Sequence, residues 1–420
     1  MSIPKGIKGA PDWLPPDSRA FEHVERTLLD TAATAGYERV RTPVFELTEV
    51  FARGVGASTD VVQKEMYTFV DKGERSLTLR PEGTAGVMRA ALEANLAKTG
   101  GLPAKWAYAG EFFRQERPQA GRQRQFNQVG LEALGVVDAV LDAEAVLLGW
   151  EALQRLGIPD VVLHLNTLGD RGDRAAYDER LNAYLDGLED LPAEVEARRH
   201  LNPLRAFDSK APGMAEKMAD APVLPDHVSE DAKAHHAEVV ALLEAEGVPL
   251  RHDPRLVRGL DYYTRTTFEF KVGSLGAQDT VLGGGRYDGL AEDLGADEPL
   301  PGIGWACGVD RTLLAMGAAG VDTPTSARVE AFVVIAGEGL RSEGFAVATA
   351  LRRAGVATDL LTDGRSMRAQ FKAADRSGAR LAVVLGEREL AAGVATVRDL
   401  ESGEQRAVPR DDLVEAVRGR

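Results

Sequence analysis

Phe21, Val24, Leu28, Leu29 and Ala32 recur at the spacing of one helix face, behind Asp17 and Ser18 as candidate caps and ahead of Gly36. The pattern predicts a helix over 17–36. YERVRTPVFEL (37–47) alternates as a strand does, with Pro43 demanding an edge or a break. LTLRPEGTAGVMRAAL (77–92) predicts strand, turn and helix, the turn made by Pro81 and Gly83 and the helix capped by Thr84. Two alternating runs, WAYAGEFFRQE and RQFNQVGLEALG, flank RPQAGR, which predicts an antiparallel pair around a short loop. A helix over 139–156 and a strand over 161–166 follow.

Residues 170–255 break with this rhythm. They are charged, Ala-rich and helical, punctuated by Pro192, Pro203, Pro212, Pro222 and Pro225. Their 11 basic and 19 acidic residues leave a net charge of −8, and they read as a helical insertion within a mixed sheet. Strand patterns return at 267–272 and 279–282, then the glycine-dense GGGRYDG and GIGWACG. GAAGVDTPTSAR (317–328) is the linker candidate. Beyond it, strand and helix patterns alternate, predicting a small α/β unit with a largely parallel sheet.

Composition narrows the class. A chain of 420 residues exceeds what one core of roughly 250–300 residues holds. The single cysteine, Cys307, excludes internal disulfides and cysteine-built zinc sites, and fits a reducing, cytoplasmic setting. The N-terminal stretch has no apolar signal-peptide core. No apolar run approaches the ~20 residues of a membrane span. The net charge of −15 argues against a generic nucleic-acid coat, while leaving room for a basic contact face.

Against that acidic background, Arg114, Arg117, Arg122 and Arg124 crowd into EFFRQERPQAGRQRQFNQVGLE (111–132). A run of charge is usually a solvated face. These arginines sit instead at a strand–loop–strand junction, where guanidiniums converge and suit phosphate oxygens. VRGLDYYTRTTFEF (257–270) places Arg258 before a Gly-Leu-Asp turn and two tyrosines. In a strand Tyr262 and Tyr263 would face opposite ways, one to the core and one to a site. Gly283, Gly284 and Gly285, then Gly302, Gly304 and Gly308 ahead of Arg311, let backbone approach a ligand, although each cluster alone is more often a tight turn. Neither a Walker A loop nor a dinucleotide fingerprint is present. Glu82 and Glu132 are acidic candidates that could bind an amine or imidazole, or could be surface carboxylates.

Together these stretches resemble one family. FRQERPQAGRQRQFNQVGLEALG is similar to the second signature motif of class II aminoacyl-tRNA synthetases in its histidine-specific form. RLVRGLDYYTRTTFEF is similar to the histidine-binding segment of histidyl-tRNA synthetases, and GIGWACGVDR to the third class motif. The helix and strand ending at Pro43 are similar to the first motif, which lies at the dimer interface in the class. KGAPDWLP and LRPEGT also match, and the resemblance covers nearly the whole chain. Two departures stand out: Arg265 replaces what is often a small residue, and Trp305 with Cys307 makes the third motif more aromatic.

The resemblance implies a mixed α/β (α+β) fold: a catalytic domain over 1–325 with a six-stranded antiparallel sheet, flanking helices and the insertion at about 170–255, then an anticodon-binding domain over 328–420. It implies ATP with Mg²⁺, L-histidine and tRNA(His) as ligands, and a homodimer with no membrane association. Arg114 would hold the α-phosphate, Arg311 the γ-phosphate, and Arg258 would add charge at the α-phosphate. Glu116, Arg122 and Gly308 would complete the ATP site, with Arg122 and Arg124 bracing the loop. Glu82 and Thr84 would receive the α-ammonium, with Gln128 at the same end of the substrate. Glu132 and Tyr263 would grip the imidazole, and Tyr262, Gly283, Gly284 and Tyr287 would line the pocket.

The last 93 residues carry 15 basic and 14 acidic side chains, against the acidity of the rest. Arg365, Arg368, Lys372 and Arg376 make a basic stripe on one predicted helix, suited to tRNA phosphates, though a solvated face would read the same. The acidic insertion gives no electrostatic support for an acceptor-stem contact. The rival reading is a catalytically inactive paralogue serving as regulatory subunit of ATP phosphoribosyltransferase. Such paralogues generally lack the extra domain and have eroded motifs, whereas Arg114, Glu132, Arg258 and Arg311 all stand here.

Overall fold

In a computed structural model the protein is described over residues 3–56, 59–209, 211–323, 329–337, 339–361 and 364–419, without the side chains of 277 and 278. It divides into two compact units, Met1–Thr323 and Pro324–Arg420.

The first unit is built on one large sheet. Its strands in chain order are β1 (Glu38–Arg39), β5 (Ala104–Phe113), β6 (Gln125–Leu134), β7 (Val161–Thr167), β8 (Leu250–His252), β9 (Thr264–Val272), β10 (Thr280–Arg286) and β11 (Gly302–Gly308). A second, three-stranded sheet holds β2 (Phe45–Leu47), β3 (Thr68–Val70) and β4 (Ser76–Leu79). The large sheet has the order β1-β5-β6-β11-β10-β9-β7-β8. The inner strands, from β5 to β7, pair antiparallel as expected, but the sheet has eight strands, because β1 and β8 add parallel edges. Pro43 is the reason at one edge. It breaks 37–47 into β1 and β2, which join different sheets.

Strand alternation then sorts the two faces. Val129, Leu131, Ile303, Trp305 and Cys307 point into a core closed by helices Asp17–Thr34, Ala139–Arg155, Glu230–Ala245 and Val309–Ala318. Asp138 caps the second of these, its carboxylate accepting from the Val140 amide, whereas Pro16 starts the first without a side-chain cap, so neither Asp17 nor Ser18 caps it. Trp305 donates its indole N–H to the Ala145 carbonyl at 2.8 Å, and the Cys307 thiol lies 3.2 Å from the Thr312 hydroxyl. Trp305 and Cys307, which make the third motif more aromatic, are therefore core residues. Arg265 bonds Asp231 at 2.5 Å, away from the opposite face.

Within 170–255, helix Glu230–Ala245 and β8 belong to the main body, since Val239, Leu243 and Val248 pack with Leu163 and Phe270. The rest forms a helical insertion whose Tyr177, Leu181, Leu204 and Met214 pack in the core on the other side. Tyr262 and Tyr263 are not on a strand. They occupy a turn before β9, both buried, their rings 4.6 Å apart. Gly283–Gly285 lie inside β10, so the alternative of a tight turn does not hold for them. The linker candidate gives its first two residues to helix Val309–Ala318, and 324–328 fall outside the described residues.

The second unit orders its strands β13-β12-β14-β15-β16. These are β12 (Ala331–Ala336), β13 (Thr358–Leu360), β14 (Leu381–Gly386), β15 (Val394–Asp399) and β16 (Gln405–Pro409). The first three strands in sequence are parallel, and the last two add an antiparallel hairpin that the alternation had not revealed. Val333 and Ile335 face helix Arg341–Arg353, while Phe332 and Val334 face helix Met367–Ser377. On the latter, Arg368, Lys372 and Arg376 are exposed on one side, and Arg365 precedes the helix.

Candidate active site

On the open face of the large sheet, β11 carries Gly302, Gly304, Ala306 and Gly308. A strand normally projects a side chain every second residue; here that row is stripped to hydrogens and one methyl. A cleft of about 430 Å³ opens above its Ala306 and Gly308 end, while Gly302 and Gly304 leave room for Tyr287 and Glu132. Its walls include Arg114, Glu116, Arg122, Gln128, Arg258, Gly283, Gly308 and Arg311, so the sequence candidates for ATP converge on one place. Phe126, Asp310 and Arg205 also line it and had not been singled out. Phe126 sits under Arg114, 5.4 Å from guanidinium to ring centre.

The cations are held unequally. Arg122 pairs with Glu116 at 3.2 Å, and Arg258 pairs closely with Glu269. Against the cost of burial, the Glu269 carboxylate raises the Arg258 pKa above its ordinary value. Arg114 donates to the Pro81 carbonyl at 3.0 Å. Arg311 donates to the carbonyls of Gly121 at 3.2 Å and Thr280 at 2.9 Å. Burial and then the neighbouring Arg122 push its pKa below the usual guanidinium value. Partial charges on carbonyls orient a guanidinium without neutralising it, so Arg114 and Arg311 keep charge available for an anion.

Beside the cleft lies a closed polar cluster. Glu132 is fully buried and accepts hydrogen bonds from Thr84 Oγ1 at 2.7 Å, Tyr108 Oη at 3.3 Å and Tyr287 Oη. Thr84 therefore does not cap its helix. Glu82 does, its two oxygens accepting from the amides of Thr84 and Ala85 at 2.8 and 2.9 Å. Tyr262 Oη donates to the same carboxylate at 3.3 Å. Room for Glu132 comes from Gly304: a Cβ there would lie 1.8 Å from Glu132 Oε2. Gly284 does not face this pocket. A Cβ on it would strike the Gly304 carbonyl and Trp305, whereas one on Gly285 would meet Tyr263, because neighbours on a strand face opposite ways. Tyr108 was missed in the sequence because nothing local distinguishes it from a core tyrosine.

Burial dominates the electrostatics of both acids. Glu82 is raised above the ordinary carboxylate range, and Glu132 is pushed up to about 8 despite three hydroxyl donors. From pH 4.5, the ordinary value, to about 8, the folded chain thus keeps a proton that the unfolded chain releases. The unfolded state binds fewer protons in that window, so stability falls as pH rises through it. Glu132→Gln cannot ionise, so its stability relative to wild type should improve steadily from pH 5 to pH 8 in urea titrations. A difference independent of pH would refute burial as the cause.

The arrangement joins an arginine-lined cleft to a pocket with two buried carboxyls. It suits a phosphorylated ligand abutting a smaller cationic one. Comparison with known proteins agrees. A family model described as "Histidyl-tRNA synthetase" matches residues 9–312, and one described as "Anticodon binding domain" matches 330–420. The chain is 51% identical to the histidine–tRNA ligase of Saccharopolyspora erythraea over 418 residues, covering 100% of this chain and 99% of that one. It is 52% identical to the Nocardia farcinica histidine–tRNA ligase, covering 100% and 98%. Among solved structures, apo histidyl-tRNA synthetase from S. aureus superposes with a TM-score of 0.83 at 34% identity, covering 99% of this chain and 100% of that one. A Bacillus halodurans protein described as an ATP phosphoribosyltransferase regulatory subunit/histidyl-tRNA synthetase shares the fold at 20% identity, with a TM-score of 0.67 over 92% of this chain and 100% of that one. On a match across most of its length, the chain belongs to the histidyl-tRNA synthetase family.

Proposed function

We propose that the protein is a histidine–tRNA ligase. A histidine carboxylate oxygen attacks the α-phosphorus of ATP, pyrophosphate leaves, and a ribose hydroxyl at the 3′ end of tRNA(His) then displaces AMP from the adenylate. The observation that carries this reading is the pairing of one cleft rich in arginine with one pocket of buried carboxyls. Arg114 and Arg258 take the α-phosphate and Arg311 the γ-phosphate. Cations already in place where charge develops are often the largest catalytic contribution. Glu82 and Thr84 meet the α-ammonium with Gln128, while Glu132, Tyr263 and Tyr287 surround the imidazole.

No cluster of three or more His, Cys, Asp or Glu able to hold a metal occurs among the described residues. Mg²⁺ is usually bound through substrate phosphates and one or two carboxylates, and Glu116 on the cleft wall would supply one. It would neutralise phosphate charge there.

We infer a cytoplasmic homodimer. No described helix is long and apolar enough to cross a membrane. The small sheet exposes Phe45, Leu47 and Phe69 on one face, with the Phe45 and Phe69 rings 6.4 Å apart, a face suited to a second copy of the chain. The exposed Arg368, Lys372 and Arg376 suit tRNA phosphates.

Pyrophosphate exchange into ATP, run with each of the twenty amino acids, tests the reading. Histidine alone should support it. Exchange with another amino acid, or with none, would overturn it. With tRNA added, Arg368→Glu with Lys372→Glu should weaken charging and spare exchange; charging at the wild-type rate would remove the stripe from the tRNA contact, and equal loss of both would point to misfolding.

A further inference from the structure

The turn 258–263 carries Arg258 to the cleft and Tyr262 and Tyr263 to the carboxyl pocket, yet it lies outside the sheet ladder. Its own backbone anchors it through the Asp261 amide, which donates to the Val55 carbonyl at 3.0 Å. At its two ends Tyr262 bonds Glu82 and Arg258 pairs with Glu269, and at its middle the inserted helices add a further hold. Arg205 Nη2 and Asn202 Nδ2 both donate to Asp261 Oδ1, at 2.8 and 2.7 Å. Arg174 Nη1 donates to the Tyr263 carbonyl at 3.4 Å. Behind the carboxylate, Gly56 lets the chain close up: a Cβ there would lie 2.4 Å from Asp261 Oδ2.

We propose that the insertion is a working part of the activation site, gripping this turn through Asp261 with Arg205 as the positioning residue. Arg205 is 12% exposed and lines the cleft itself, and its Nε is buried without a hydrogen bond. A planar fork satisfied on one side by a carboxylate fixes direction as well as distance. Arg258 stands three residues from Asp261, so tilting Asp261 displaces the guanidinium that meets the α-phosphate. A displacement of about 1 Å in a reacting geometry costs on the order of 10²-fold in rate. The acidic insertion, which offered no electrostatic case for a nucleic-acid contact, thereby acquires a role that depends on a few directed bonds and not on net charge.

The inference rests on the proposed ligase activity, and the experiment separates the two. In the full chain, Arg205→Ala should lower kcat of histidine-dependent exchange by about 10- to 100-fold at an unchanged urea midpoint. Arg205→Lys, which keeps one donor, should recover part of it. Amide hydrogen exchange at 259–263 should quicken in Arg205→Ala whether or not the wild-type protein activates histidine. Arg199→Ala, which breaks a 2.6 Å pair with Asp186 inside the insertion, should leave both readouts at wild-type values. Unchanged kcat and unchanged protection at 259–263 in Arg205→Ala would overturn the clasp. So would an equal loss in Arg199→Ala, or a rise in KM for ATP at constant kcat, which would make Arg205 an ordinary ATP contact.

Discussion

Arg258→Ala should reduce histidine-dependent pyrophosphate exchange by on the order of 10³-fold while histidine still binds. The guanidinium lies in the cleft wall, against Gly283 and 6.0 Å above the Tyr263 ring centre. Its partner Glu269 is 15% exposed and without Arg258 keeps Thr280 at 2.8 Å and Lys271 at 3.8 Å, so removing Arg258 alone leaves one carboxylate oxygen unpaired at the cleft and adds repulsion to the lost attraction. Arg258→Ala with Glu269→Gln removes that repulsion. The double variant should recover less than tenfold, since neutrality at 269 does not restore the cation. Histidine affinity, read by calorimetry, should change little, because Glu82 and Glu132 lie in the adjoining cluster. Activation within tenfold of wild type in the single variant would take the α-phosphate role away from Arg258.

The largest effect on stability is expected at Asp142. Arg286 and Asp142 are both 0% exposed. Arg286 Nε approaches both carboxylate oxygens, at 3.1 and 3.2 Å, and its Nη1 reaches the Val136 carbonyl at 3.0 Å and Asp288 at 2.9 Å. His235 Nε2 and Thr266 Oγ1 complete the carboxylate, at 2.8 and 2.6 Å. Burial alone would raise the Asp142 pKa. His235 and Arg286 outweigh it and hold the group below its ordinary value. Asp142→Asn leaves a buried guanidinium without its main counter-charge, a change that typically costs about 3–5 kcal/mol. Trp13, Trp106, Trp150 and Trp305 all lie in the first unit, so tryptophan fluorescence in urea reads that unit alone. The double change Asp142→Asn with Arg286→Met should be more stable than Asp142→Asn. A single variant within about 0.5 kcal/mol of wild type would mean that water or a neighbour already compensates Arg286.

Neither Asp142 nor Arg286 could have been matched from the sequence. They stand 144 positions apart, and each looks like an ordinary charged residue. The same holds for Thr84 and Glu132, which meet across 48 positions. By contrast, the helices at 17–34 and 139–155 and the strand pair 104–113 with 125–134 were legible, because amphipathic period and turn residues are local properties. Of the arginines of 111–132, Arg114 and Arg122 reach the cleft as the short loop implied, whereas Arg117 is exposed and Arg124 bonds the carbonyls of Glu116 and Lys8, so the expected convergence holds for two of the four.

What the sequence determined, then, was the alternation of elements, the division near residue 324, and two arginines, Arg114 and Arg122, that one hairpin brings to a cleft wall. Tertiary structure decided what burial and distant pairing decide. It made Gly302 and Gly304 the room that Tyr287 and Glu132 occupy, and placed both tyrosines in a turn that other elements must hold. It withdrew Glu132 from water until its carboxyl titrates near 8, and it brought Arg205 of the insertion to Asp261. Local patterning survives any rearrangement of the rest of the chain. Desolvation and partner choice belong to the packed whole, so they become legible only once the faces of the sheet are assigned.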